Sequence, residues 1–206
     1  MAEVDFYFDP GCPWAWLATV RLQEAAMRCS ARIQWRPVLA LRVDAGSGTT
    51  VLAAAERAYQ AQDLADWAHF CGVSIRRTER LPSAVAARVI AAAADLGGRT
   101  GRLVESIFAA GPGGAADIND RDVLLDLARE AGFDVAALSL ALDDPRSQAA
   151  VEANSAALIA QGGFGSATMV VAGRHYCGNT RLPLVELALT RAGDSPLIIP
   201  GAHGHT

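Results

Sequence analysis

The strongest constraint on the fold is where β-forming sequence occurs. It lies at the two ends of the chain, and residues 50 to about 160 carry none. Val4 to Phe8 is β-branched and aromatic with partial alternation, the pattern of a buried strand. Asp9-Pro10-Gly11 breaks it, and Cys12-Pro13 opens a helical stretch from about Trp14 to Cys29. Proline suits the first helical position because its missing N–H would be unpaired there anyway. Arg32 to Pro37 then reads as a second strand, with Ile33 and Trp35 on one face. Strand–helix–strand in forty residues opens a parallel α/β unit. Near the other end, Thr168 to Val171, the turn Ala172-Gly173 and Arg174 to Cys177 form a hairpin. Gly178-Asn179-Thr180 ends it, Arg181 to Arg191 is an amphipathic closing helix, and Gly193 to Thr206 is a tail with little pattern.

Between the ends the chain is rich in Ala, Leu and Arg with helical periodicity, broken at Gly46-Ser47-Gly48, Leu81-Pro82, Gly97-Gly98, Gly111 to Gly114 and Asp143 to Pro145. The spacing predicts five or six helices. Asn119 or Asp120 caps one that ends near Gly132, and Asp144 precedes another. The expected fold is α/β, β–α–β … β–β–α, with a large all-helical insertion. Residues 1–45 and 163–195 form the α/β domain, 46–162 the helical insertion and 196–206 a tail.

Composition narrows the chemistry. With 51% hydrophobic and 19% charged residues, the chain can build a core. A net charge of -4 leaves no electrostatic footprint for nucleic acid or an anionic membrane. There is no lysine, and all 18 basic residues are arginine. That excludes Schiff-base, pyridoxal-phosphate and P-loop lysine chemistry. Cys12, Cys29, Cys71 and Cys177 show neither Cys-x-x-Cys nor metal-ligand spacing, so neither a disulfide framework nor a metal site is expected. An acidic start and the lack of a long apolar run predict a cytoplasmic protein with no signal peptide and no membrane span.

One position carries chemistry. Cys12 follows a strand and begins a helix, where unpaired N–H groups and the positive helix end stabilise a thiolate and lower its pKa. The alternative is a cysteine that packs as a small hydrophobe. Trp14, Trp16 and Trp35 either line an aromatic pocket or belong to the core. Cys29 and Cys71 read as helix packing, and Cys177 as a core cysteine or a partner to the site. His69 and His175 have no carboxylate at catalytic spacing, and His203 and His205 fall in the tail. Arg76, Arg77 and Arg80 read as a solvated face that an acidic substrate could use.

The stretch VDFYFDPGCPWAWLATVRL resembles the start of the thioredoxin-fold proteins of the DsbA superfamily. More narrowly, it resembles the branch holding 2-hydroxychromene-2-carboxylate isomerase and kappa-class glutathione transferase. WRPVLAL, RAYQAQDLADWAHFCGVSI, the helix from Asp120, and GGFGSATMVVAGRHYCGNTRLPLVELAL follow in that family's order and spacing. The resemblance implies a thioredoxin-like fold and a dimer, and it places the active residue at Cys12. The family usually has Ser-Pro there, the hydroxyl assisting a glutathione thiolate, and the redox relatives have Cys-x-x-Cys. Here the motif is Cys12-Pro13-Trp14-Ala15. Without a second thiol, a mixed disulfide cannot be released by internal attack.

Two further segments depart from the pattern. The family's Val-cis-Pro-Thr reads Ser166-Ala167-Thr168, and a cis bond before a non-proline residue costs ~3–4 kcal/mol, so a trans bond is expected. The Gly-Ser/Gln-Asp-Arg segment that holds the glutamyl end of glutathione reads Gly178-Asn179-Thr180-Arg181, without the carboxylate. The resemblance therefore implies a thiol-dependent cis/trans isomerase of a conjugated carbonyl or polyene compound, acting by reversible thiolate addition at Cys12. Arg36, Thr168 or the backbone near Ser166 would polarise the substrate, and Pro13, Trp14, Tyr59, Asn179, Thr180 and Arg181 would line the substrate or thiol site. Alternatives are a monothiol DsbA-like oxidoreductase, a glutathione or mycothiol transferase, and a non-catalytic binding scaffold. The expected partner is a small molecule, with a low-molecular-weight thiol as cofactor or none.

Overall fold

The structure, a computed structural model, describes residues 1–39 and 51–193. The boundary placed at 45/46 and the tail 196–206, with its two histidines, lie outside these residues. The described chain runs β1 (Glu3–Phe8), α1 (Pro13–Arg28), β2 (Arg32–Pro37), α2 (Val51–Phe70), α3 (Ala84–Leu96), α4 (Thr100–Ala110), α5 (Arg121–Ala131), α6 (Val135–Asp143), α7 (Arg146–Ala160), β3 (Thr168–Val171), β4 (Arg174–Cys177) and α8 (Leu182–Ala192). Asn179–Arg181 forms one 3₁₀ turn ahead of α8. The fold is α/β, and its four-stranded sheet has the order β2-β1-β3-β4. β1 pairs parallel with β2 and antiparallel with β3, and β3 and β4 form the hairpin.

Alternation along β1 decides which face meets which helices. Val4, Phe6 and Phe8 are wholly buried against α1 and α8, in the same core as Ile90, Leu103, Phe108, Leu124 and Leu138 of the helical region. Tyr7 points the other way and packs with Val38, Leu158 and Val170. The aromatic rings tie sheet and helices together. Phe6 stacks on Phe8 at 4.9 Å, Trp35 meets both edge-on at 5.9 and 5.8 Å, and Phe108 of α4 lies 5.9 Å from Phe8. Trp16 stacks on Phe108 at 6.5 Å. Trp16 and Trp35 are therefore part of this packing. Trp35 also borders a cavity of about 630 Å³ with Ile33, Met27, Arg99, Arg102 and Glu105, and Cys12 is not among its walls.

The helix ends follow their local signals. Asp120 caps α5, its carboxylate accepting the Asp122 and Val123 N–H groups at 2.8 and 3.4 Å, and Gly132 closes it with a left-handed φ of 92°. Asp144 accepts the Arg146 N–H at 2.9 Å. Asn119 serves a different helix. Its side-chain oxygen accepts the Val85 N–H at 3.0 Å, in the first turn of α3. That turn needs help from outside because Ser83, at the N-cap position of α3, makes no cap bond of its own. Its hydroxyl goes to Asp9.

Candidate active site

β1 ends at Phe8, and the next four residues make the turn that delivers Cys12 to the start of α1. The Cys12 N–H donates to the Asp9 carbonyl at 3.0 Å, and the Cys12 carbonyl accepts from Ala15 at 3.0 Å and Trp16 at 3.4 Å. Cys12 is thus the N-cap of α1, with Pro13 behind it. The backbone N–H groups of Ala15 and Trp14 at the helix end and the positive charge of Arg80 all pull the thiol pKa down. These favour the thiolate. Cys12 is only 6% exposed, however, and burial outweighs them, with Asp9 adding in the same direction, so the thiol is pushed above its ordinary value. This corrects the expectation of a lowered pKa. The helix end acts as foreseen, but desolvation of the charged form exceeds it.

Asp9 is the polar centre of the site. Its carboxylate is 2% exposed and accepts the Gly11 N–H at 2.8 Å and the Ser83 hydroxyl at 2.6 Å, and the Arg80 guanidinium lies 3.5 Å away. A buried charge needs such pairing. Its own N–H donates to the Ser166 hydroxyl oxygen at 2.8 Å. The segment ahead of α3 lies directly on the turn. The Leu81 N–H donates to the Gly11 carbonyl at 3.0 Å, and a Cβ on Gly11 would stand 2.2 Å from the Leu81 carbonyl oxygen. Glycine is the residue that admits this approach. The same segment is held at its other end, where Arg76 and Arg77 donate backbone N–H groups to the Pro112 carbonyl at 2.9 and 3.1 Å.

The facing segment is cis at Ser166–Ala167, against the expectation of a trans bond. That expectation weighed only the local preference, whereas the segment is fixed from three sides. Ser166 accepts from Asp9, Thr168 donates its hydroxyl to the Gly165 carbonyl at 2.7 Å, and the Ala167 carbonyl accepts the Gly178 N–H at 2.9 Å. Ala167 and Thr168 are buried, and Cys177 stands beside Gly165.

The sequence-derived residues separate into those that meet and those that do not. Cys12 and Ser166 are both bonded to the Asp9 backbone, Pro13 follows Cys12 as the first residue of α1, and Ala167 and Thr168 continue the Ser166 segment. Trp14 is half-buried between the main core and a cluster of Leu17, Leu64 and Ala68. Arg36 stands elsewhere. It pairs in register with Tyr7, on the opposite sheet face from Phe6 and Phe8, and its guanidinium binds Asp5 at 2.9 Å. Tyr59 is 64% exposed on α2. Asn179 is buried and receives Arg21 on both its carbonyl and its side-chain oxygen, at 2.9 and 3.0 Å, while Thr180 and Arg181 are exposed. Arg21 also stacks over Trp67 at 4.8 Å, joining α2 to the 3₁₀ turn. Cys29 packs between α1 and α8, 3.5 Å from the Thr190 hydroxyl.

Sequence reasoning missed Asp9, Arg80 and Ser83. Asp9 was legible only as part of a strand break, and Arg80 only as one of a surface arginine cluster. Among the described residues, no three His, Cys, Asp or Glu side chains gather as metal ligands, and no helix is long and apolar enough to cross a membrane.

Known proteins share this architecture. A 2-hydroxychromene-2-carboxylate isomerase structure superposes with a TM-score of 0.71 at 26% identity, covering 92% of this chain and 95% of that one. A probable DsbA oxidoreductase from Streptomyces coelicolor has a TM-score of 0.71 at 22% identity, covering 98% and 95%. The cytosolic disulfide reductase DsbM from Pseudomonas aeruginosa has a TM-score of 0.64 at 20% identity, covering 92% and 100%, and its structure with GSH matches as well, at 0.62. No curated protein matches the chain. The profile of the DSBA-like thioredoxin domain matches residues 3–190, and with the sheet order and the placement of Cys12 already described, the chain belongs to the DSBA-like thioredoxin domain family.

Proposed function

We propose that the protein is a thiol-dependent isomerase that interconverts cis and trans forms of a small conjugated carbonyl compound in the cytoplasm. One observation carries this reading: the Cys12-Pro13-Trp14-Ala15 motif holds a single thiol. Ala15 occupies the position a resolving cysteine would take, one helical turn past Cys12, and is wholly buried. Dithiol exchange needs that second sulfur. Addition to a conjugated double bond needs only one. The 26% identity to 2-hydroxychromene-2-carboxylate isomerase over 92% of the chain supports the same reading.

The chemistry balances without a cofactor. The Cys12 sulfur bonds to the far carbon of the conjugated system, the C=C bond becomes single, and the displaced electron pair moves to the carbonyl oxygen, which takes the thiol proton. The new single bond rotates, and reversal expels the sulfur, returns the proton and restores the double bond. Burial works against the free thiolate, so the sulfur gives up its proton as it bonds to the substrate.

The same burial favours a second role for Cys12 within this activity. A protonated thiol at the helix terminus can donate a hydrogen bond to the thiolate of a bound small thiol, glutathione or mycothiol, which then makes the addition. The DsbM structure with GSH gives this reading a precedent in the fold. Isomerisation of 2-hydroxychromene-2-carboxylate, measured with and without glutathione or mycothiol, tests both. Covalent catalysis requires Cys12→Ser to be inactive and wild type to be active without added thiol. The assisting role requires activity only with added thiol, retained by Cys12→Ser. A Cys12→Ala variant with full turnover would sink both. A mixed disulfide on Cys12 that turns over with a reductant, without any isomerisation, would favour a monothiol oxidoreductase.

A further inference from the structure

Arg80 has no role in the isomerase reading, yet it is the one cation in the field of Cys12 among the described residues. Its position is built from several contacts. Leu81 is bonded to Gly11, Ser83 to Asp9, and the Arg80 guanidinium reaches the outer oxygen of the same Asp9 carboxylate at a loose 3.5 Å. The inner oxygen is the one saturated by Ser83 and Gly11. Asp9 therefore stays anchored whether or not Arg80 is on it. The Arg80 side chain is 46% exposed, whereas that of Asp9 is 2% exposed.

The charged groups facing Cys12 are these two alone among the described residues. Asp9 comes from the β1–α1 turn and Arg80 from the segment ahead of α3. The residues bonded to the turn, Ala15 and Trp16 on the Cys12 carbonyl and Leu81 on the Gly11 carbonyl, are uncharged. With the thiol protonated, Arg80 belongs on Asp9. Once the sulfur becomes anionic, two negative groups share one short turn, and the partly exposed guanidinium is the one positive charge near them among the described residues.

We propose that Arg80 is a positioning residue that exchanges partners, resting on Asp9 and turning to the Cys12 sulfur when that sulfur is ionised. Asp9 is the fixed counter-charge that keeps the guanidinium within reach. The inference rests on Cys12 being the reacting group, but its test needs no isomerase turnover.

The test is the pH profile of Cys12 alkylation by iodoacetamide, followed on the Cys12 peptide by mass spectrometry. Arg80→Gln should move the midpoint up by about one pH unit, the lower end of what a neighbouring opposite charge contributes. Asp9→Asn keeps the inner acceptor for Ser83 and Gly11 and frees Arg80, so it should move the midpoint down. Arg80→Lys should stay near wild type. Opposite shifts from the two partners are something a merely structural role would not produce. Midpoints for Arg80→Gln and Asp9→Asn that both match wild type, or that move the same way, would overturn the exchange. A protein inactive in every isomerisation assay but showing the opposed shifts would retain the Arg80 assignment and lose only the isomerase reading.

Discussion

The hydroxyl of Ser83 donates to the buried Asp9 carboxylate at 2.6 Å, across 74 residues of chain. One bond ties the turn that carries Cys12 to the start of a helix in the middle of the sequence. A hydrogen bond to a buried charge is among the stronger kinds, and its loss leaves the charge short of a donor. Ser83→Ala should therefore cost about 2 kcal/mol, measured by urea unfolding. A change below a few tenths would mean that water replaces the hydroxyl without penalty.

Gly11→Ala places a methyl group 2.2 Å from the Leu81 carbonyl oxygen, a backbone atom that cannot swing aside. The segment over Cys12 must lift. The expected cost is about 2–3 kcal/mol, as for other overpacked sites. Iodoacetamide should reach the Cys12 thiol faster than in wild type. Unchanged alkylation alongside lost stability would place the strain elsewhere.

Ala15→Cys restores a second thiol three residues after the first. Ala15 lies one turn along α1 from Cys12, and the helix brings such positions onto one face. The variant should form an internal disulfide under oxidising conditions and reduce insulin faster than wild type in a dithiol-dependent assay. Free-thiol counts before and after oxidation decide it: four reactive thiols in denatured wild type, against a loss of two in the oxidised variant.

Burial raises the Cys12 thiol, so the native state holds its proton more tightly than the unfolded chain does. The stability this contributes is complete below the unfolded value of ~8.5 and is lost as pH rises through the native one. Wild type should weaken with rising alkalinity more steeply than Cys12→Ser. The chain has no lysine, so few other side chains titrate in that window. Urea midpoints for the pair from pH 7 to 10 check the slope, and parallel curves would contradict it.

Arg28 grips Glu186 with two bonds, at 2.7 and 2.9 Å, joining the end of α1 to α8, and it holds the Glu186 carboxyl below its usual range. The pair is largely exposed, so screening keeps its value small. Glu186→Gln should cost about 0.5 kcal/mol at low salt and less at 1 M NaCl. Because the native carboxyl is lowered, its contribution is present above the unfolded value and fades as acid protonates it.

The strands and helix starts were legible because their signals are local. Val4 to Phe8 alternates, Pro13 opens α1, Ala172-Gly173 turns the hairpin, and Asp120 caps the helix that begins after it. Cys12 was legible for the same reason, since its place at the end of a strand and the start of a helix is written in its neighbours. The surroundings of Cys12 were not. Asp9 looked like punctuation until Ser83 and Arg80 came across the fold to meet it. Arg36 looked available until β1 set Asp5 beside it, on the face turned away from Phe6 and Phe8. The ionisation of the thiol depended on burial, which no residue near Cys12 announces.

The segment from Arg76 to Ser83 is neither helix nor strand, yet it bridges the carbonyl of Pro112 and the turn before Cys12. Under the proposed role of Arg80, substitutions there would retune the reactivity of the sulfur while every residue of α1 and the sheet stays the same. Two proteins of this fold with identical Cys-Pro motifs can therefore differ in chemistry through a stretch that motif comparison passes over.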